Sequence, residues 1–159
     1  MLAYFVFVIL FFFASPAFSE ETPTFDFYMT KGTLALDQKN YIQAIDDFNA
    51  ALKDKPDDPS ATLYIGIALR KIGNQQEAEK LLKKTVKLDP QSPRANLELG
   101  ILYFEKGIYD EARDFFETVK IISPKTELAA VAEDYIRNIG RKEKAEAREK
   151  DWASGFQLQ

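Results

Sequence analysis

The stretch PSATLYIGIALRKIGNQQEAEKLLKKTVKLDPQS, Pro59 to Ser92, decides how the chain is read. Two segments with apolar residues at helical spacing flank KIGNQQEA, whose glycine is a helix-ending signal between them. Asp58 stands before Pro59 and Ser92 before Pro93, an N-cap followed by proline at the first helical position. The stretch therefore reads as helix, turn, helix, bounded by a second helix start.

Working outward, the same pattern recurs on both sides at a period of 34: residues 25–58 begin FDFYMTKG and residues 93–126 begin PRANLELG. Glycine returns at Gly32, Gly66 and Gly100, alanine at Ala44, Ala78 and Ala112, and proline at Pro56, Pro90 and Pro124. Small residues at these places fit a helix crossing, since anything larger than a methyl group pushes two axes beyond the 8 to 10 Å of close packing. In the third unit EKGIYDEA supplies the turn glycine, and in the first DQKNY does so with Asn40 as the expected left-handed residue. This spacing resembles the tetratricopeptide repeat, which implies an all-α fold: a right-handed superhelix of three helical hairpins, closed by a C-terminal capping helix because no hairpin buries its apolar face alone. The units are 25–58, 59–92 and 93–126. Tyr28 fills the early aromatic position of the first unit, while Thr62 and Asn96 depart from it, and Thr85 replaces a usual alanine.

Residues 127–140 supply the capping helix, with Thr126 as N-cap and Leu128, Val131, Ala132, Tyr135 and Ile139 at helical spacing. Gly140 marks an expected stop or bend. Residues 141–151, RKEKAEAREKD, alternate charges as a solvated helical spacer in which Glu143 pairs with Lys144 and Arg148. In the tail, 152–159, Trp152, Ser154, Phe156 and Leu158 alternate with Ala153, Gly155, Gln157 and Gln159, the two-residue period of a strand.

The resemblance implies a partner-binding concave face lined by the first helix of each unit. Carried over by register, it comprises Met29, Thr33 and Leu36, then Leu63, Ile67, Arg70 and Lys71, then Leu97, Ile101, Phe104 and Glu105, with Arg70 and Arg94 adding positive charge at its edge. Some members of the family hold a partner's C-terminal carboxylate with lysine and asparagine, and Met29, Thr33 and Leu63 at the matching places argue against that clamp. An apolar groove suits an amphipathic helix or an extended apolar peptide.

At the other end, Leu2 to about Ala14 forms an uncharged apolar run followed by small residues and Pro16. It is shorter than the roughly 20 residues of a membrane span and reads as a signal peptide over 1–19, followed by a short linker, 20–24. Cleavage after Ser19 or after Ala17 both place small residues correctly. No Lys or Arg precedes the run, so an uncleaved N-terminal membrane anchor is the alternative.

Chemistry has little foothold. There is no Cys and no His, which removes the thiol nucleophile, the commonest general base and the commonest metal ligand, and no phosphate loop or serine elbow appears. No cofactor or metal is expected. The acidic pairs Asp46 and Asp47, Asp57 and Asp58, and Glu133 and Asp134 read as solvated exteriors. A formal net charge of -4 speaks against a nucleic-acid partner, which needs a basic face. The sequence thus implies a non-catalytic periplasmic scaffold binding a protein or peptide partner. The alternative, suggested by the tail, is the N-terminal periplasmic domain of an outer-membrane β-barrel transport or assembly protein, its end close to that membrane.

Overall fold

The computed structural model describes residues 23–156, with side chains to Ala153. The expected signal peptide, part of the linker and residues 157–159 of the tail lie outside that range. Seven helices follow one another: α1 (Phe25–Asp37), α2 (Tyr41–Asp54), α3 (Pro59–Lys71), α4 (Gln75–Leu88), α5 (Pro93–Glu105), α6 (Tyr109–Ile122) and α7 (Glu127–Phe156). Three hairpins, α1/α2, α3/α4 and α5/α6, stack through α2 on α3 and α4 on α5, and α7 closes the row on α6. No strand occurs among the described residues.

The helix starts are built as their residue types dictate. Asp58 accepts the Ala61 N–H at 2.8 Å and Ser92 the Ala95 N–H at 3.3 Å, each ahead of a proline that has no N–H to satisfy. The Thr126 hydroxyl accepts the Ala129 N–H in the same way. Where the early aromatic is missing, polar groups find local partners: the Thr62 hydroxyl donates to the Asp58 carbonyl, and the Asn96 amide to the Ser92 and Pro90 carbonyls. Both side chains are therefore buried without an orphaned group.

Within each hairpin the glycine sets the approach. A Cβ on Gly32 would lie 2.6 Å from the Phe48 ring, one on Gly66 2.9 Å from Leu82, and one on Gly100 2.7 Å from the Phe116 ring. Ala44, Ala78 and Ala112 on the second helices are fully buried. These close approaches form two cores, one around Phe48 and one running from Leu82 through Phe116 to Ile139.

The turns correct one expectation. Gly73 and Gly107 take the left-handed conformation, φ +84° and +75°, but in the first unit Lys39 does so at φ 59°, while Asn40 sits at φ -86°. Lys39 is the register equivalent of Gly73, so turn geometry is fixed by position in the repeat, and a side chain there is strained by about 1–2 kcal/mol. Asp47 is a second correction: it is buried, hydrogen-bonded by Gln43 and paired with Lys31 at 3.0 Å.

The C-terminal region differs most. Gly140 does not stop α7, and the expected spacer and the start of the tail continue the capping helix as one rod to Phe156. Nothing lies within 4 Å of a Cβ on Gly140, so neither crowding nor a left-handed backbone interrupts the helix there. Glu143 accepts two hydrogen bonds from Arg113 at 2.7 and 2.8 Å, tying α7 to α6 in place of the expected pairs with Lys144 and Arg148; this partner raises the Arg113 pKa. The expected strand is absent from Trp152 to Phe156, which are helical.

Candidate functional site

Two adjoining recesses run along the face made by α1, α3 and α5. The first, about 460 Å³, is lined by Thr33, Leu36, Asp37 and Lys39 of the first unit, Tyr41 of α2, Tyr64, Ile67 and Lys71 of α3, and Arg94 of α5. The second, about 380 Å³, shares Ile67, Lys71 and Arg94 and adds Arg70, Leu97, Glu98, Ile101 and Glu105, with Glu127, Leu128, Val131 and Tyr135 of α7 as its far wall. Shared lining residues make the two recesses one groove. Its floor is apolar, with Ile67, Leu97 and Ile101 at most 9 % exposed, and Lys39, Lys71 and Arg94 stand exposed along it.

The groove brings together nine of the residues expected at the concave face: Thr33, Leu36, Ile67, Arg70, Lys71, Arg94, Leu97, Ile101 and Glu105. Three others are wholly or partly taken up by packing between helices. Met29 rests on the core around Phe48, and Leu63 is buried in the second core. Phe104 is enclosed by Tyr109, Tyr135 and the Lys142 ammonium, with ring centroids 5.7 and 5.1 Å away and the cation at 5.5 Å. The capping helix thus takes over the part of the wall that Phe104 was expected to offer.

Arg70 is the main electrostatic correction. Instead of adding charge at the edge it is 8 % exposed, donating to Glu98 and to Glu105, each at 2.7 Å. Glu98 is equally enclosed and receives Arg94 Nε at 2.9 Å on its other oxygen. The guanidinium of Arg70 is therefore neutralised, and only its Nε lacks a hydrogen-bond partner. By contrast, Lys39 and Lys71 are exposed and make no ion pair among the described residues. Beside this cluster, burial pushes the Tyr135 phenol above its ordinary pKa, the nearby Arg70 charge acting against the shift.

Sequence reasoning missed Asp37, Lys39, Tyr41, Tyr64, Glu98 and the α7 wall. Tyr64 and Glu98 share one register position, 34 residues apart, and one more carried-over position would have found them. The α7 residues lie beyond the last repeat, where no register exists to carry over. Among the described residues no cluster of acidic side chains is arranged to hold a metal ion, and no helix is long and apolar enough to cross a membrane.

Comparison with known proteins agrees with this architecture. Two family models, each described as a tetratricopeptide repeat, match residues 29–93 and 73–134. The chain is 30 % identical over 142 residues to the human protein O-mannosyl-transferase TMTC1, across 84 % of this chain but only 15 % of that much longer protein. Among solved structures, the Sgt2 repeat domain from Aspergillus fumigatus superposes with a TM-score of 0.71 at 22 % identity, over 80 % of this chain and 83 % of that one. The first repeat domain of Spaghetti (RPAP3), solved with the HSP90 peptide SRMEEVD, gives 0.68 at 21 % identity, over 75 % and 92 %.

Proposed function

From the premise that the chain is a tetratricopeptide repeat protein, we propose that it is a non-catalytic scaffold that holds a segment of a partner protein in the groove of α1, α3, α5 and α7. One observation carries this reading: the groove has an apolar floor and exposed cations at its edges, yet its own buried charges are already paired. Such a surface gains from burying a partner's apolar side chains without first stripping water from unpaired groups of its own. An amphipathic helix or an extended apolar segment fits it. The RPAP3 domain is solved bound to the HSP90 peptide SRMEEVD, but Met29 and Leu63 stand at the clamp positions here, Leu63 buried in one core and Met29 packed against the other. Apolar anchors, not a terminal carboxylate, are the handle in this reading.

Partner capture tests it. A C-terminally tagged chain and its Leu36→Glu/Lys71→Glu variant, both checked for helicity by circular dichroism, are compared for retained proteins. A protein held by the parent and lost from the variant supports the groove, and identical retained sets reject it.

The proposal includes export, on the strength of the Leu2 to Ala14 run and the small residues after it. The N-terminal sequence of the chain recovered from a fractionated bacterial host is then expected to begin after Ser19 or Ala17, and an intact Met1 would reject cleavage. The β-barrel reading rested on alternation from Trp152 onward, and the helical geometry through Phe156 lends that alternation no support.

A further inference from the structure

Each unit after the first hides one stripe of its leading helix against the unit before it. In α3 the stripe is Ala61, Ile65 and Ala68, exposed by 0, 3 and 0 %, and in α5 it is Ala95, Leu99 and Leu102, exposed by 0, 1 and 0 %. Stepping back by the period of the repeat, the same positions in α1 are Phe27, Lys31 and Leu34. Phe27 is 51 % exposed and Leu34 56 %, and α1 packs only on α2 and α3 among the described helices. The first unit therefore presents larger apolar side chains at the stacking positions than the buried alanines they correspond to.

We propose that this face of α1 is a self-association surface, covered by α1 of a second copy of the chain in an antiparallel, two-fold contact.

Three observations single out this occupant. First, the export reading removes residues 1–19, and the linker left before α1 contains Pro23, too little chain for a covering helix; this step rests on that reading. Second, the far end of the stack is closed by a polar surface, with Glu133, Asp134, Arg137 and Arg141 exposed on α7. Head-to-tail chaining has no apolar match there, whereas a closed pair uses the same patch twice. Third, Phe27 and Leu34 lie two helical turns apart, about 10.5 Å along the axis. An antiparallel α1 related by a two-fold axis midway between them sets each Phe27 against the partner copy's Leu34. Lys31 then meets Thr30 and not another Lys31, and its charge is already paired with Asp47 at 3.0 Å. At 100° per residue the groove position Leu36 lies opposite the stripe on α1 and Thr33 roughly 120° round from it, so pairing leaves the groove open.

The patch is a fraction of the roughly 800 Å² per partner of a standard interface, so the pair is concentration-dependent and not obligate. Sedimentation velocity on the purified chain, across a concentration series of about three decades, tests it, with intact mass reporting separately whether residues 1–19 are gone. The parent is expected to move from one chain mass to two. Phe27→Glu/Leu34→Glu, and the milder Leu34→Lys, are expected to raise the dissociation constant at least tenfold while helicity is unchanged. Ile121→Glu, at a side chain 79 % exposed on α6, is expected to leave it alone. A parent that stays monomeric throughout overturns the proposal, as does a dimer indifferent to the α1 substitutions, or monomer α1 amides whose hydrogen-exchange protection vanishes when residues 1–22 are deleted. The groove variant Leu36→Glu/Lys71→Glu should still dimerise, so this proposal and the groove reading fail independently.

Discussion

Replacing Arg70 by methionine isolates the charge cluster beneath the groove. The substitution keeps most of the aliphatic volume and removes the donor that meets Glu98 Oε2 at 2.7 Å. Glu98, with its side chain 4 % exposed, is left with Arg94 alone, on Oε1 at 2.9 Å. Stranding a buried charge altogether costs about 3–5 kcal/mol. Because one of the two oxygens keeps its partner, about 2–3 kcal/mol is expected here. Glu105 is released into water and adds little. For a domain of this size that loss lowers Tm by roughly 10 °C, readable by circular dichroism at 222 nm. The double variant Arg70→Met/Glu98→Met tests the cause, since replacing both buried charges by apolar groups is often neutral or better. Its Tm should recover to near the parent, and a double variant no more stable than Arg70→Met would refute the reasoning.

Other substitutions probe the repeat itself. Gly100→Ala forces a methyl group against the Phe116 ring and is expected to cost about 1–3 kcal/mol in urea unfolding, much of it restored by Phe116→Leu. At the turns, Lys39→Gly should stabilise by about 1 kcal/mol, while Gly73→Ala should destabilise by a similar amount, since both positions have positive φ. Glu79 accepts from Lys106 and Lys83 and from the Tyr103 hydroxyl, and these donors, Lys106 foremost, hold its pKa at about 2 against an ordinary 4.5. A depressed carboxyl stabilises above its unfolded value and loses that stability as pH falls through the folded one. Tm should therefore drop between about pH 4.5 and 2, and Glu79→Gln should flatten that part of the profile.

What the sequence disclosed follows from how far apart the interacting residues lie. Gly66 and Leu82 meet within one hairpin, and Tyr64 stacks on Phe48 across neighbouring ones, so a period of 34 records nearly every apolar contact. The union of Arg70 with Glu98 joins two different register positions on successive units, and no periodicity betrays it. Lys39 shows that a turn's shape is imposed by the helices on either side, with Asn40 passed over although its residue type suits the conformation better. Trp152 and Phe156 misled for another reason: a spacing of four serves the i, i+4 face of a helix as readily as alternate positions of a strand. With charges at helical spacing leading into them, continuation of the helix wins. The α7 wall of the groove stayed hidden because it follows the last repeat and owes its placement to Leu128 and Val131 settling on the core of the third unit.

Past Glu143, the last residue of α7 held by Arg113, the rod runs on to Phe156 for about 20 Å at 1.5 Å per residue. A flexible coil of the same length would span a similar root-mean-square distance, roughly 5–6 Å times the square root of the residue count. Being helical therefore gains no reach. It gains bearing: cargo joined to this rod is aimed along one line from the repeats instead of sampling a sphere around them.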